Sequence, residues 1–217
     1  MKDIVIFGAG GLGREVLFEI RRRNNLKEEY NILGFADDLP GAVGREIHGV
    51  RILGGAEWLK AYDKPLCVVI AVGSGRVRKA IYERVRENKN LTFPNIIAHD
   101  AVFSESVTFG EGCIVCFSAV FTVDIGIGSF VLVNNGCTVG HDSVLDDFST
   151  LYPGVNISGS VRLKSCCEIG AGSCVIQGKT IGENTIVGAG AAVIADLPSN
   201  CTAVGVPAKV IKRASEV

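Results

Sequence analysis

Residues 137–163 read CTVGHDSVLDDFSTLYPGVNISGSVRL, with Val139, Leu145, Leu151, Ile157 and Leu163 set six residues apart. The spacing continues outward without a break, back through Val133, Ile127, Phe121, Val115 and Phe109 to Phe103, and on through Ile169, Val175, Ile181 and Val187 to Val193. A period of six is neither the 3.6 of an amphipathic helix nor the 2 of an ordinary strand. It belongs to a solenoid whose short flat rungs each turn one apolar side chain into a shared interior. A second row agrees. Two residues before most apolar positions stands a small or β-branched side chain, among them Cys113, Ala119, Val131, Cys137, Ser143, Val155, Cys167, Ser173 and Thr185, and Lys179 is the misfit. Glycine follows the apolar residue at Gly110, Gly128, Gly140, Gly170, Gly182 and Gly188, where a sharp corner is expected. Three hexads close one triangular coil, so the run predicts about five coils of a parallel β-helix.

The chain before this run is punctuated differently. A short strand over 3–7 leads into Gly8-Ala9-Gly10-Gly11-Leu12-Gly13, and 14–23 then carries the spacing of an amphipathic helix. A second strand over 30–36 ends in Asp37 and Asp38. A hairpin is expected near 50–53, a third strand over 66–72, then Gly73-Ser74-Gly75 and a helix over 77–87. The pattern predicts an α/β, Rossmann-like domain over 1–93 followed by an all-β domain over 94–217. In that context a glycine loop lets backbone approach a phosphate at a helix N-terminus, and the acidic pair can accept hydrogen bonds from ribose or base. The alternative is a structural β–α turn with no ligand. About ninety residues hold one mononucleotide-binding half where a dinucleotide fold uses two, so a nucleotide diphosphate is expected rather than NAD.

Composition excludes other classes. With 22 basic and 23 acidic residues the net charge is −1, which argues against a nucleic-acid surface or a polybasic membrane patch. No stretch approaches the ~20 apolar residues of a membrane span, and Lys2 and Asp3 run straight into a short strand rather than a secretory leader. The eight cysteines fall mostly inside the hexads, where a reduced thiol packs as a small hydrophobe, so a cytoplasmic protein is expected. Cys113 and Cys116 have no second pair and no neighbouring histidine, so no metal site is expected.

Of the three histidines, His141 stands two places after the apolar Val139 and should point outward, with Asp142 beside it. An imidazole held by a carboxylate can act as general base, and a solvated loop histidine is the alternative.

These landmarks, together with Ala71-Val72-Gly73, Arg78 and Gly205-Val206-Pro207-Ala208-Lys209, resemble the sialic acid O-acetyltransferase and nucleotide-sugar N-acetyltransferase family, most nearly the bacterial UDP-4-amino-sugar acetyltransferases. The resemblance implies a left-handed parallel β-helix, a homotrimer and acetyl-CoA as co-substrate. It implies that Gly10, Gly11, Leu12, Asp37, Asp38 and Gly73 bind the nucleotide sugar. Acetyl-CoA contacts would fall on Thr150, Gly159, Ala171 and Ala189, with His141 as base and Asp142 orienting it. Leu12 and Thr150 stand where the best-known members carry histidines. Transfer of the acetyl group to the amine of a UDP- or GDP-linked 4-amino-4,6-dideoxy sugar for a bacterial glycan is expected, with O-acetylation of a sialic acid or related sugar, or a non-catalytic trimeric nucleotide-binding scaffold, as alternatives. Phe117, Phe130 and Phe148 are candidates for a subunit contact or for capping their own coils.

Overall fold

The computed structural model describes residues 1–213. The chain divides into two units, residues 1–73 with 77–96, and residues 74–76 with those from 97 onward.

In the first unit β1 (Lys2–Phe7), α1 (Gly11–Leu26), β2 (Tyr30–Ala36), β3 (Glu46–Ile47), β4 (Val50–Gly54), α2 (Ala56–Lys60), β5 (Leu66–Ile70), α3 (Gly75–Val85) and β6 (Leu91–Thr92) follow in order. The sheet runs β3-β4-β2-β1-β5-β6, parallel except for the β3/β4 hairpin. Ile4–Phe7 and the whole of β5 are buried, the near-continuous apolar pattern of a parallel sheet covered on both faces. β5 stops at Ile70, two residues before the expected end. The buried Arg78 donates from Nη1 to the carbonyls of Val72 (2.7 Å) and Gly73 (3.0 Å), which bends this stretch out of the ladder.

The second unit is a parallel β-helix of two-residue strands with a register of eighteen. Val120, Thr138, Asn156, Cys174 and Ala192, for example, are successive partners in one wall. The apolar row from Val115 to Val193 is buried throughout. Each such side chain contributes roughly 1.5–3 kcal/mol by leaving water. Phe103 departs from the expectation. It is 44% exposed because it lies near the end of the prism, and its ring packs edge-on against Phe109 at 5.5 Å.

Two details of the corners also differ from expectation. Every sixth residue from Gly112 to Gly190 is left-handed, with φ between 55 and 70°, but these residues fall two places after the glycines read as corners. Gly110, Gly128, Gly140, Gly170, Gly182 and Gly188 are needed for close stacking instead. A Cβ on Gly170 would lie 2.5 Å from the Ala189 amide nitrogen of the next coil. The inner thiols are also more than apolar filler. Cys113, Cys137 and Cys167 donate to the carbonyls of Gly128 (3.1 Å), Tyr152 (3.1 Å) and Gly182 (2.8 Å), as Ser143 and Ser173 do to Ser158 and Gly188. Small donors in this row therefore bond to carbonyls of the next coil, and the row holds the coils together as well as filling the interior. Burial pushes the Cys167 thiol up to about 12 and raises that of Cys137, which keeps both protonated.

Phe130 and Phe148 are 1% and 6% exposed and stack on each other at 5.1 Å, so they cap their own coils and offer no face to a neighbouring subunit. All eight cysteines are free thiols. Among the described residues no helix is long and apolar enough to cross a membrane, and no cluster of three or more His, Cys, Asp or Glu could hold a metal.

Gly170→Ala should lower stability by roughly 1–3 kcal/mol, the usual cost of overpacking a filled interior. Gly126→Ala, whose Cβ would meet nothing within 4 Å, should leave the thermal midpoint nearly unchanged. Paired thermal unfolding of the two variants checks this.

Candidate functional site

The glycine loop of the first unit assigns a separate physical task to each of its glycines. Gly8 takes φ 103°, a conformation in which a side chain is strained. A Cβ on Gly13 would collide with the carbonyl of Gly8, so this glycine lets α1 lie against β1. Nothing in the chain comes within 4 Å of a Cβ built on Gly10 or Gly11, so nothing the protein itself contributes demands a glycine at either. α1 has no side-chain cap and no acidic residue in its first turn, which leaves its positive end open to an anion. Leu12, half-buried, is the second residue of the helix.

The acidic pair lies beside this loop but is already engaged by the chain. Asp37 accepts the Ala9 amide at 2.8 Å and the Leu39 amide at 2.9 Å, so one carboxylate clamps the glycine loop to the end of β2. Asp38 accepts the Ala56 amide at the start of α2 (2.8 Å) and a hydrogen bond from Arg84 Nη1 (2.6 Å). Each oxygen keeps a second lone pair for a ligand. A cleft of about 300 Å³ opens here, lined by Gly8, Asp37, Asp38, Val72, Val77 and Arg84 among others. It lies at the carboxyl ends of β1, β2 and β5, where the strand order reverses at β1, the usual ligand crevice of open α/β sheets. The sequence reading missed Arg84. Its signal was the helical spacing that puts Val77, Ala80, Ile81 and Arg84 on one face of α3.

In the second unit His141 sits on a corner of the prism with its side chain 62% exposed. Its backbone is held by the coils on either side. Its carbonyl accepts the Ser160 amide at 2.7 Å, and the next amide, that of Asp142, donates to Val123 at 3.2 Å. The left-handed φ of 58° at Asp142 turns the carboxylate back toward the ring, and Nδ1 to Oδ2 is 2.7 Å. With the carboxylate accepting from Nδ1–H, Nε2 carries the lone pair and can take a proton.

The four expected coenzyme residues do not converge within one chain. Gly159 lies directly under the His141 ring. Ala171 and Ala189 are exposed and stack eighteen residues apart on a different corner, next to the left-handed Gly172 and Gly190. Thr150 is a correction. It is completely buried, paired with Glu168 and Leu132 on a wall that does not carry His141, so its hydroxyl is out of reach of a surface ligand.

Comparison with known proteins agrees with both halves. The PglD N-terminal domain family matches residues 3–85. The GDP-perosamine N-acetyltransferase of Escherichia coli O157:H7 is 28% identical over 96% of each chain. A perosamine N-acetyltransferase variant from Caulobacter crescentus, solved with CoA and GDP-perosamine, superposes with a TM-score of 0.88 at 30% identity, over 98% of both chains. The chain belongs to the nucleotide-sugar N-acetyltransferase family. The acetyltransferase domain of PglB from Neisseria gonorrhoeae, solved with acetyl coenzyme A, is a further match at a TM-score of 0.86 and 30% identity, over 97% of this chain and 99% of that one. Like these nucleotide-sugar N-acetyltransferases, the protein is an acetyltransferase built from an α/β unit and a left-handed β-helix.

Gly13→Ala should lower the thermal midpoint by the equivalent of roughly 1–3 kcal/mol. Gly11→Ala should hold or raise it, by up to about 1 kcal/mol, because alanine suits a helical position better than glycine. Thermal unfolding of the two variants separates the packing glycine from the open one.

Proposed function

We propose that the protein transfers the acetyl group of acetyl-CoA to the amine of a nucleotide-linked 4-amino sugar, a precursor of a bacterial glycan, with His141 as general base. The His141–Asp142 pair on an exposed corner is the observation that carries this reading. The ligands of the family's solved members, CoA and GDP-perosamine, support it. The amine nitrogen attacks the thioester carbonyl, and His141 Nε2 takes the proton that the nitrogen sheds. The carbon–sulfur bond then breaks and the proton is available to the departing CoA sulfur. Asp142 stabilises the imidazolium that forms in between. The buried, protonated thiols of Cys137 and Cys167 offer no nucleophile for an acetyl-enzyme.

The first domain, 1–93 in the sequence reading, would carry the nucleotide. Gly10 and Gly11 would let backbone approach the diphosphate, and Asp37, Asp38 and Gly73 would line the ribose or base. The β-helix domain, 94–217, would carry the chemistry. A homotrimer is part of the proposal, because His141 and Gly159 lie on one edge of the prism and Ala171 and Ala189 on another. Two neighbouring prisms would bring such edges to the same coenzyme. Eight free thiols suit a reducing compartment, so the cytoplasm is the proposed location.

Release of CoA thiol from acetyl-CoA, followed across GDP- and UDP-linked amino sugars and free sialic acids, tests the assignment. Turnover only with sialic acids would replace it with O-acetylation. His141→Ala should lower kcat by roughly 10²–10⁴-fold, and near-normal turnover would remove the base from the mechanism. Asp142→Asn should cost less, since asparagine also accepts a left-handed backbone and the ring keeps a neighbour. Gly11→Ala should raise KM for the nucleotide sugar about tenfold, equivalent to ~1.4 kcal/mol, with kcat little changed. Light scattering should report three chains per particle, and a fully active monomer would refute the shared groove.

A further inference from the structure

The ring of His141 is not held by Asp142 alone. An ideal Cβ built on Gly159, in the next coil, would lie 2.6 Å from both Cε1 and Nε2 of His141 and 3.1 Å from Cδ2. These three ring atoms are the nearest neighbours of that position, and no backbone atom comes closer. Gly159 is buried, and the face of its Cα that lacks a side chain is the face on which the imidazole lies. Its φ is not left-handed, so the backbone gives no reason for glycine here.

The stacking that brings the two together begins one residue before His141. A Cβ on Gly140 would meet the Gly159 amide nitrogen at 2.6 Å and the Ser158 carbonyl carbon at 2.7 Å. The missing side chain of Gly140 thus lets the coil of Gly159 close down, and the Gly140 amide bonds to Ile157 across the gap at 2.8 Å. The Ser160 amide then ties that coil to the His141 carbonyl. Two glycines in adjacent coils therefore make a flat seat for one ring. Asp142 fixes the ring through Nδ1, and Gly159 sets how far it can lean, and hence where the lone pair of Nε2 points.

We infer that Gly159 is a positioning residue for the His141 base, acting through the space its missing Cβ leaves to the imidazole. This rests on the reading of His141 as base. It assigns Gly159 a different task from the coenzyme contact expected from the sequence. A general base must lie within hydrogen-bond reach of its proton, so a ring pushed off its seat loses rate and not affinity.

Gly159→Ala tests the inference. Expected is a fall in kcat of roughly 10- to 100-fold, as for an ångström-scale misplacement of a catalytic group, with KM for acetyl-CoA unchanged within about twofold. With only three histidines in the chain, ¹⁵N-histidine spectra can follow each ring. The His141 signals should move while those of His48 and His99 stay, and in the unmodified protein the Gly159 Hα protons should show nuclear Overhauser contacts to the His141 ring. The double variant with His141→Ala should be no slower than His141→Ala alone. A raised KM for acetyl-CoA at normal kcat would make Gly159 a coenzyme contact and overturn the inference. Unmoved His141 signals, or absence of the Gly159–His141 contacts in the unmodified protein, would overturn it as well. Full activity of His141→Ala would instead overturn the base assignment. The seat would then survive as geometry, because spectra and activity report on the two separately.

Discussion

Stacking of identical coils at a register of eighteen is the constraint from which the second unit follows. A two-residue strand is too short to be stable alone, and each one gains its hydrogen bonds only from the coils before and after it. That requirement sets the inner row of aliphatic side chains and the left-handed corner at every sixth residue. It also explains the small donors that reach the carbonyls of the following coil. Gly140, Gly170 and their equivalents exist for the same reason, since coils this close leave no room for a Cβ.

The site uses this architecture without interrupting it. Asp142 is left-handed as every corner residue in the series is, and the same turn that closes the coil aims its carboxylate at His141. The amide that ties Ser160 to the His141 carbonyl is one of the ordinary contacts between coils. A base placed on so repetitive a scaffold is held by backbone on both sides, which fixes it without a dedicated shell of side chains. The first unit solves its problem differently. There the glycines of one loop divide the work among a strained φ, close helix packing and open space, while Asp37 clamps that loop.

Much of this was legible in the sequence because it is periodic or local. The hexad spacing, the strand–loop–helix order and the His141–Asp142 pair are all nearest-neighbour patterns. Arg84 was missed because its partner Asp38 lies 46 residues away, and spacing within a helix does not say what the helix face meets. Thr150 was misplaced because its coenzyme role came from the family resemblance, which carries over a position and not what covers it. Whether that position meets solvent depends on what covers the wall, and Thr150 is completely buried.

By itself the sequence determined the two-part architecture, the inward rows and the candidate base, since period and chirality leave a chain with such a repeat few ways to bury its apolar side chains. Tertiary structure alone decided which glycines serve φ and which serve contact, which thiols bond to carbonyls, and that Gly159 lies beneath His141. These depend on residues fifteen to nineteen positions apart coming within van der Waals distance, and no local pattern encodes how closely two coils approach.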